Sequence, residues 1–150
     1  MKWPAIKSNG RDAKCAVVVR DSRGKLIDGR VISAKIMSSL HGELLAIRLA
    51  GGMIKAMGLR GALIESDNQT AIKLSVSESV PPWKVMAVVG DIRKLKMEEG
   101  ISFAWIKRET NGLAHAVAAE AMTGCLPVNW VSFPSSFVMS IVSRDASPLL

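Results

Sequence analysis

The chain has 150 residues, 49% hydrophobic and 22% charged, the size and balance of one globular domain with a buried core rather than of a disordered chain. No apolar run reaches the roughly 18 residues of a membrane span, and no apolar segment of signal-peptide kind follows Met1-Lys2-Trp3-Pro4. The net charge is +7, and residues 1–35 hold nine Lys/Arg against three Asp, a basic end that suits a polyanion such as nucleic acid or else guards strand edges with lysine.

Residues 3–7 read as a short strand, Asn9-Gly10 as a two-residue hairpin turn, and residues 14–20 as the returning strand. Val17-Val18-Val19 predicts burial on both faces and a central place in the sheet. Asp21-Ser22-Arg23-Gly24 reads as a turn into a third strand over 25–36. The chain thus opens with an antiparallel meander. Pro4 cannot donate to a ladder and belongs near the frayed start of its strand.

Residues 42–58 read as a helix with an apolar stripe of Ala46, Ile47, Ala50, Ile54 and Met57. Glu43 stands at its head, either as a first-turn acid favoured by the helix dipole or as a carboxylate aimed inward at the sheet edge. Gly51-Gly52 in mid-helix costs about 1 kcal/mol each against Ala, offset in part if another backbone packs closely there. Residues 62–65 form a strand that runs into Ser66-Asp67, and residues 70–74 a short helix. Asp67 is either that helix's N-cap or a carboxylate at the carboxyl end of a strand, where open α/β sheets place their chemistry.

Pro81-Pro82 leads into a helix over 83–97, with Val85, Val88, Val89, Ile92 and Leu95 inward and Lys84, Arg93, Lys94 and Lys96 on the other face. Residues 101–106 read as the fifth strand, with Ile101, Phe103 and Trp105 on one face. Residues 107–110 read as a loop, and Asn111 as the cap of a last helix through Met122. The tail after Gly124 has three prolines and scattered apolar residues and is expected to pack loosely or lie in an interface. The division is a domain over 1–124 and a tail over 125–150. Cys15 and Cys125 lack metal-ligand spacing and read as free thiols, at least one buried, in a reducing nuclear or cytosolic compartment. Helical crossovers make the later strands parallel, which predicts an α/β fold with a mixed five-stranded sheet of order 3-2-1-4-5.

Six stretches carry a resemblance. They are Arg20-Asp21-Ser22-Arg23-Gly24, Gly42-Glu43-Leu44-Leu45-Ala46-Ile47-Arg48 and Glu65-Ser66-Asp67-Asn68-Gln69. Pro81-Pro82-Trp83, Phe103-Ala104-Trp105-Ile106-Lys107-Arg108, and Asn111 with Ala114-His115 follow. In this order they resemble the ribonuclease H fold, in particular the ribonuclease-H-type domain of plant retroelement reverse transcriptases and their stand-alone relatives, over about residues 3–124. That family hydrolyses the RNA strand of RNA–DNA hybrids as an endonuclease. Two metal ions, usually magnesium, activate a water and stabilise the leaving oxygen. Four carboxylates hold them, on strand one, helix one, the end of strand four and the last helix.

Carried over, helix one matches at Glu43 and strand four at Asp67. The strand-one position holds Pro4, which fits a shortened amino terminus, and the last-helix position holds His115, a change common in the plant subfamily. Asp12 lies past the Asn9-Gly10 turn and does not replace the first acid. The resemblance implies Glu43, Asp67 and His115 as catalytic positions, with Glu43 and Asp67 ligating one Mg2+ or Mn2+. His115 is then an altered ligand, or simply a hydrogen-bonded histidine. Ser39, Asn68 and Gln69 match nucleic-acid contacts, and Trp83 reads as core rather than as a stacking platform. The expectation is a ribonuclease-H-like nucleic-acid-binding domain whose hydrolysis is weak or lost. The alternatives are a competent hybrid ribonuclease with an altered metal site and a non-catalytic protein-interaction domain.

Overall fold

A computed structural model describes residues 10–146, and the first hairpin in it is set by Asp21. The Asp21 Oδ1 accepts from the N–H groups of Arg23 and Lys25, both at 2.9 Å, and Gly24 takes a φ of 80° that suits glycine alone. The turn joins β1 (Arg11–Arg20) to β2 (Leu26–Ile36), antiparallel with Arg11 opposite Ile36 and Val18 opposite Gly29. Beyond it lie α1 (Ser39–Met57), β3 (Leu63–Ser66), α2 (Gln69–Val76), α3 (Met86–Glu99), β4 (Ser102–Trp105), α4 (Gly112–Met122) and α5 (Ser136–Ala146).

β3 and β4 pair in parallel, with Leu63 opposite Ser102 and Ser66 opposite Trp105, as the helical crossovers require. The expected strand over residues 3–7, Pro4 and Asn9 lie outside the described residues, among which β1–β2 and β3–β4 form two separate two-stranded sheets. Val17, Val18 and Val19 are half-buried rather than buried on both faces. Among the described residues no helix is long and apolar enough to cross a membrane.

Two apolar clusters hold the fold. The first joins Leu44, Ile47 and Ile54 of α1 to Ile64, Ile72, Val88, Val89, Ile92 and Ile101. The second joins Leu113, Ala116 and Val117 of α4 to Trp130, Val138 and Ile141, with Ala16, Val18, Leu26 and Val31 of the β1–β2 hairpin packed against it. The segment after Gly124 therefore supplies three core side chains and an 11-residue helix that its prolines and scattered apolar residues did not reveal. Cys15 is buried and Cys125 exposed, both as free thiols. Trp83 is 64% exposed, because it stands in a 3-10 turn that precedes α3 instead of on the helix's buried stripe.

α1 begins at Ser39, three residues before Gly42, because Ser38 caps it by accepting from the His41 N–H at 3.1 Å. Its two glycines differ. Gly51 is buried, and a Cβ there would lie 3.0 Å from Leu95 Cδ1 on α3, so the close neighbour is a side chain and not a backbone. A Cβ on Gly52 would meet nothing within 4 Å. Gly52→Ala is therefore expected to stabilise the chain by about 1 kcal/mol in urea unfolding, while Gly51→Ala gains less because Leu95 must shift. Equal gains at both positions would contradict the packing of α1 on α3.

Candidate active site

Asp67 leaves the sheet at the carboxyl end of β3, and two contacts from the end of β4 and the residue after it hold it there. The Ile106 N–H donates to Ser66 O at 2.9 Å, and the Trp105 indole N–H donates to Asp67 O at 3.1 Å. Asp67 is not the cap of α2. That place belongs to Asn68, whose Oδ1 accepts from the Ala71 N–H at 2.9 Å. The cap comes one residue later, so the Asp67 carboxylate is free for another partner. It finds His115 on the first turn of α4, with Nε2 2.9 Å from Oδ2. The Asp67 side chain is 9% exposed and that of His115 33%.

Glu43 meets the same edge from α1. Because the helix starts at Ser39, Glu43 lies beyond its first turn, which removes the helix-dipole reading and leaves the inward one. Its Oε2 accepts from the Ser66 hydroxyl at 3.1 Å, and Ser66 Oγ in turn accepts from the Asn68 N–H at 3.1 Å. Ser66 is thus a buried hinge between the two acidic positions, and its place within Glu65-Ser66-Asp67 was the only sequence sign of it. Burial pushes the Glu43 carboxyl above its ordinary range. The Ser66 hydrogen bond opposes this, the Asp67 charge adds to it, and His115 and Arg108 oppose it. Arg108, quoted in the sequence only as the end of the Phe103–Arg108 stretch and given no role there, stands in a 3-10 turn before α4 and lines an open depression with Glu109, Gly112 and His115. The Cys15 thiol, 3.6 Å from Gly42 O, is pushed up by burial and then by Glu43.

Asn111 stands at the start of α4 and closes the 3-10 turn over Arg108–Asn111, with φ −94° and ψ 26°, but its side chain makes no cap bond to the helix, contrary to expectation. Ser39 is exposed at the first position of α1, and Gln69 exposed at the first position of α2. The structure thus ties together Glu43, Ser66, Asn68, Asp67 and His115, and leaves Ser39 and Gln69 on helix starts without a bond to that group. Among the described residues no three His, Cys, Asp or Glu side chains are placed to hold a metal ion. Two carboxylates suit one hard cation with water and phosphate oxygens completing its shell, and do not suit a pair about 4 Å apart.

The raised Glu43 carboxyl has a sign that can be measured. The folded chain holds this proton more tightly than the unfolded chain does. Its contribution to stability is fully present below the ordinary value of 4.5 and is lost as pH rises through the raised value. Glu43→Gln keeps an acceptor for Ser66 and carries no charge. Without divalent metal, its thermal midpoint is expected to exceed that of the wild type at pH 7 and to match it near pH 4. A deficit at pH 7 would show that the carboxylate is not desolvated.

Comparison with known proteins bears on the family and the fold. The family model described as reverse transcriptase-like matches residues 5–121. Among solved structures, ribonuclease H1 of the halophilic archaeon Halobacterium salinarum is 18% identical, with a TM-score of 0.68 over 80% of this chain and 92% of that one. The N-terminal ribonuclease H domain of a Mycobacterium tuberculosis protein is 14% identical, with a TM-score of 0.66 over 79% and 88%. A ribonuclease H1 isolated from compost by metagenomics is 20% identical, with a TM-score of 0.69 over 81% and 91%. No curated protein sequence matches. At these identities the structures speak for the fold, and the family model for the lineage: the chain belongs to the reverse-transcriptase-like family and has the α/β ribonuclease-H-like fold.

Proposed function

We propose that this chain is a nucleic-acid-binding domain that holds RNA–DNA hybrid duplex and hydrolyses its RNA strand weakly or not at all. The observation that carries the proposal is the Asp67–His115 contact at 2.9 Å, because the resemblance implies a further carboxylate ligand at position 115 and this chain has an imidazole beside Asp67 instead. Glu43 and Asp67 remain to hold one Mg2+ or Mn2+. Such an ion, when bound, supplies Lewis acidity to a phosphoryl oxygen and acidifies a water. The chain's own residues do the rest. Ser66 orients Glu43, Trp105 fixes the backbone of residue 67, and Arg108 offers a positive charge to phosphate. Ser39, Asn68 and Gln69, at the starts of α1 and α2, contact the nucleic-acid backbone.

The test is binding and cleavage of a labelled RNA–DNA hybrid, with magnesium and then manganese, and Asp67→Asn as control. Binding that weakens steeply with salt, with slow or absent cleavage, is the expected result. Rapid cleavage abolished by Asp67→Asn would make the chain a competent ribonuclease. No salt-dependent hybrid binding would leave a protein-interaction domain.

A further inference from the structure

The tryptophans among the described residues stand in different surroundings. Trp130 is buried. Trp83 is exposed, with the Lys84 ammonium 5.8 Å from its ring centre. Trp105 ends β4 beside the candidate site. Its indole N–H donates to Asp67 O at 3.1 Å, yet the residue is 49% exposed. The bond ties down the polar edge of the ring and leaves apolar ring surface open to solvent. The register partner of Trp105 on β3 is Ser66, whose hydroxyl holds Glu43. Two exposed cations, Lys107 and Arg108, follow it in the chain, and the charge of Arg108 reaches Glu43.

We infer that Trp105 is a stacking platform for an unpaired nucleotide, so that the domain takes hold of the point where an RNA–DNA hybrid runs out into a single strand. The inference rests on the nucleic-acid reading above and adds a ligand to it. Inside a duplex each base is already stacked between its neighbours, and its flat faces are closed to a side chain. A base in a single-stranded extension has a free face, and an aromatic ring accepts that face whichever base it is. A ring already held by a hydrogen bond to the backbone loses little freedom when a base settles on it. Lys107 and Arg108 supply charge to the adjoining phosphates. The surroundings suit a nucleotide and not an apolar protein segment. On its own face of the sheet Trp105 adjoins Ser66 and the half-buried Phe103, and Lys107, Arg108, Glu109 and Thr110 beyond it are exposed polar residues. The ring is a single flat surface among polar groups, whereas protein partners select wide apolar patches.

The test measures binding of the full chain to a short labelled RNA–DNA hybrid by fluorescence anisotropy, at fixed salt and with calcium in place of magnesium. The hybrid is either blunt or carries a short single-stranded extension, placed on each end of each strand in turn. The readout is the ratio of extended to blunt affinity for each protein, which cancels any effect a variant has on duplex binding itself. The wild-type chain is expected to bind one extended hybrid about tenfold more tightly than the blunt one. An extension of the same length without bases carries the same phosphates and is expected to give little of that gain. Trp105→Phe and Trp105→Leu both lose the bond to Asp67 O, and only the first keeps an aromatic face. The phenylalanine variant should retain a clear gain, and the leucine variant should bring the ratio to about one. Equal affinity for blunt and extended hybrids would overturn the inference and leave the nucleic-acid reading standing. So would a full gain from the extension without bases, a gain that survives in Trp105→Leu, or an equal loss in both variants. Binding of neither hybrid would overturn the inference together with the reading it rests on.

Discussion

His115→Asp is expected to raise magnesium-dependent cleavage of an RNA–DNA hybrid on the order of 100-fold over the wild-type chain, the scale on which one well-placed group changes a hydrolytic site. The imidazole Nε2 stands 2.9 Å from Asp67 Oδ2, and the charge of Asp67 already acts on Glu43. A carboxylate at position 115 places a third oxygen ligand beside those two and removes a nitrogen that suits hard magnesium poorly. Without metal, three neighbouring carboxylates repel one another, so the variant should unfold at a lower temperature than the wild type. Magnesium should then raise its midpoint more than it raises that of the wild type, because only the folded state binds the ion. The two readouts separate the causes. A magnesium-dependent midpoint without cleavage would mean that the metal returns and the hybrid is misplaced. Neither effect would show that Glu43 and Asp67 are not a metal site at all.

The largest loss of stability is expected at Trp130. Its indole is buried in the cluster formed by α4, α5 and the β1–β2 hairpin. Trp130→Ala removes that packing and leaves a cavity, which costs about 3–5 kcal/mol. The partner in contact with it is Gly29 on β2. A Cβ there would lie 2.7 Å from Trp130 Cζ2 and closer still to Cη2, and 3.0 Å from Val17 O. Gly29→Ala should therefore destabilise the chain as well, through overpacking of about 1–3 kcal/mol. The double variant should lose less than the two single losses added together, since the smaller side chain makes room for the new methyl. Chemical unfolding of the four proteins in the cycle measures this. Strict additivity would mean that residue 130 does not sit on β2.

The same contact bears on where the domain ends. Leu113, Ala116 and Val117 of α4 are covered by Trp130, Val138 and Ile141, so a chain ending at Gly124 would expose an apolar face of its last helix. Such a truncation is expected to abolish cooperative unfolding, which near-ultraviolet circular dichroism would detect. Trp130, Val138 and Ile141 are in that sense a part of the packing.

What the sequence determined by itself was local and periodic. The stripe through Val88, Val89 and Ile92 specifies the buried face of α3, and the Asp21–Gly24 turn specifies the first hairpin. Both signals depend only on residues within a few positions of one another. The order of the motifs carries the resemblance to the ribonuclease H fold, and that resemblance is what implied Glu43, Asp67 and His115 as site positions. Tertiary structure decided the roles. Asp67 and Asn68 are both good cap residues, and the choice between them depends on Trp105 and Ser66 holding the chain at the end of β3. The partner of Asp67 is 48 residues away, and that of Glu43 is 23 residues away across a crossover. Trp83 and Trp130 are alike as letters, yet one is exposed and the other is core. Burial is set by which surfaces meet when the chain folds back on itself, and short-range pattern carries no record of that.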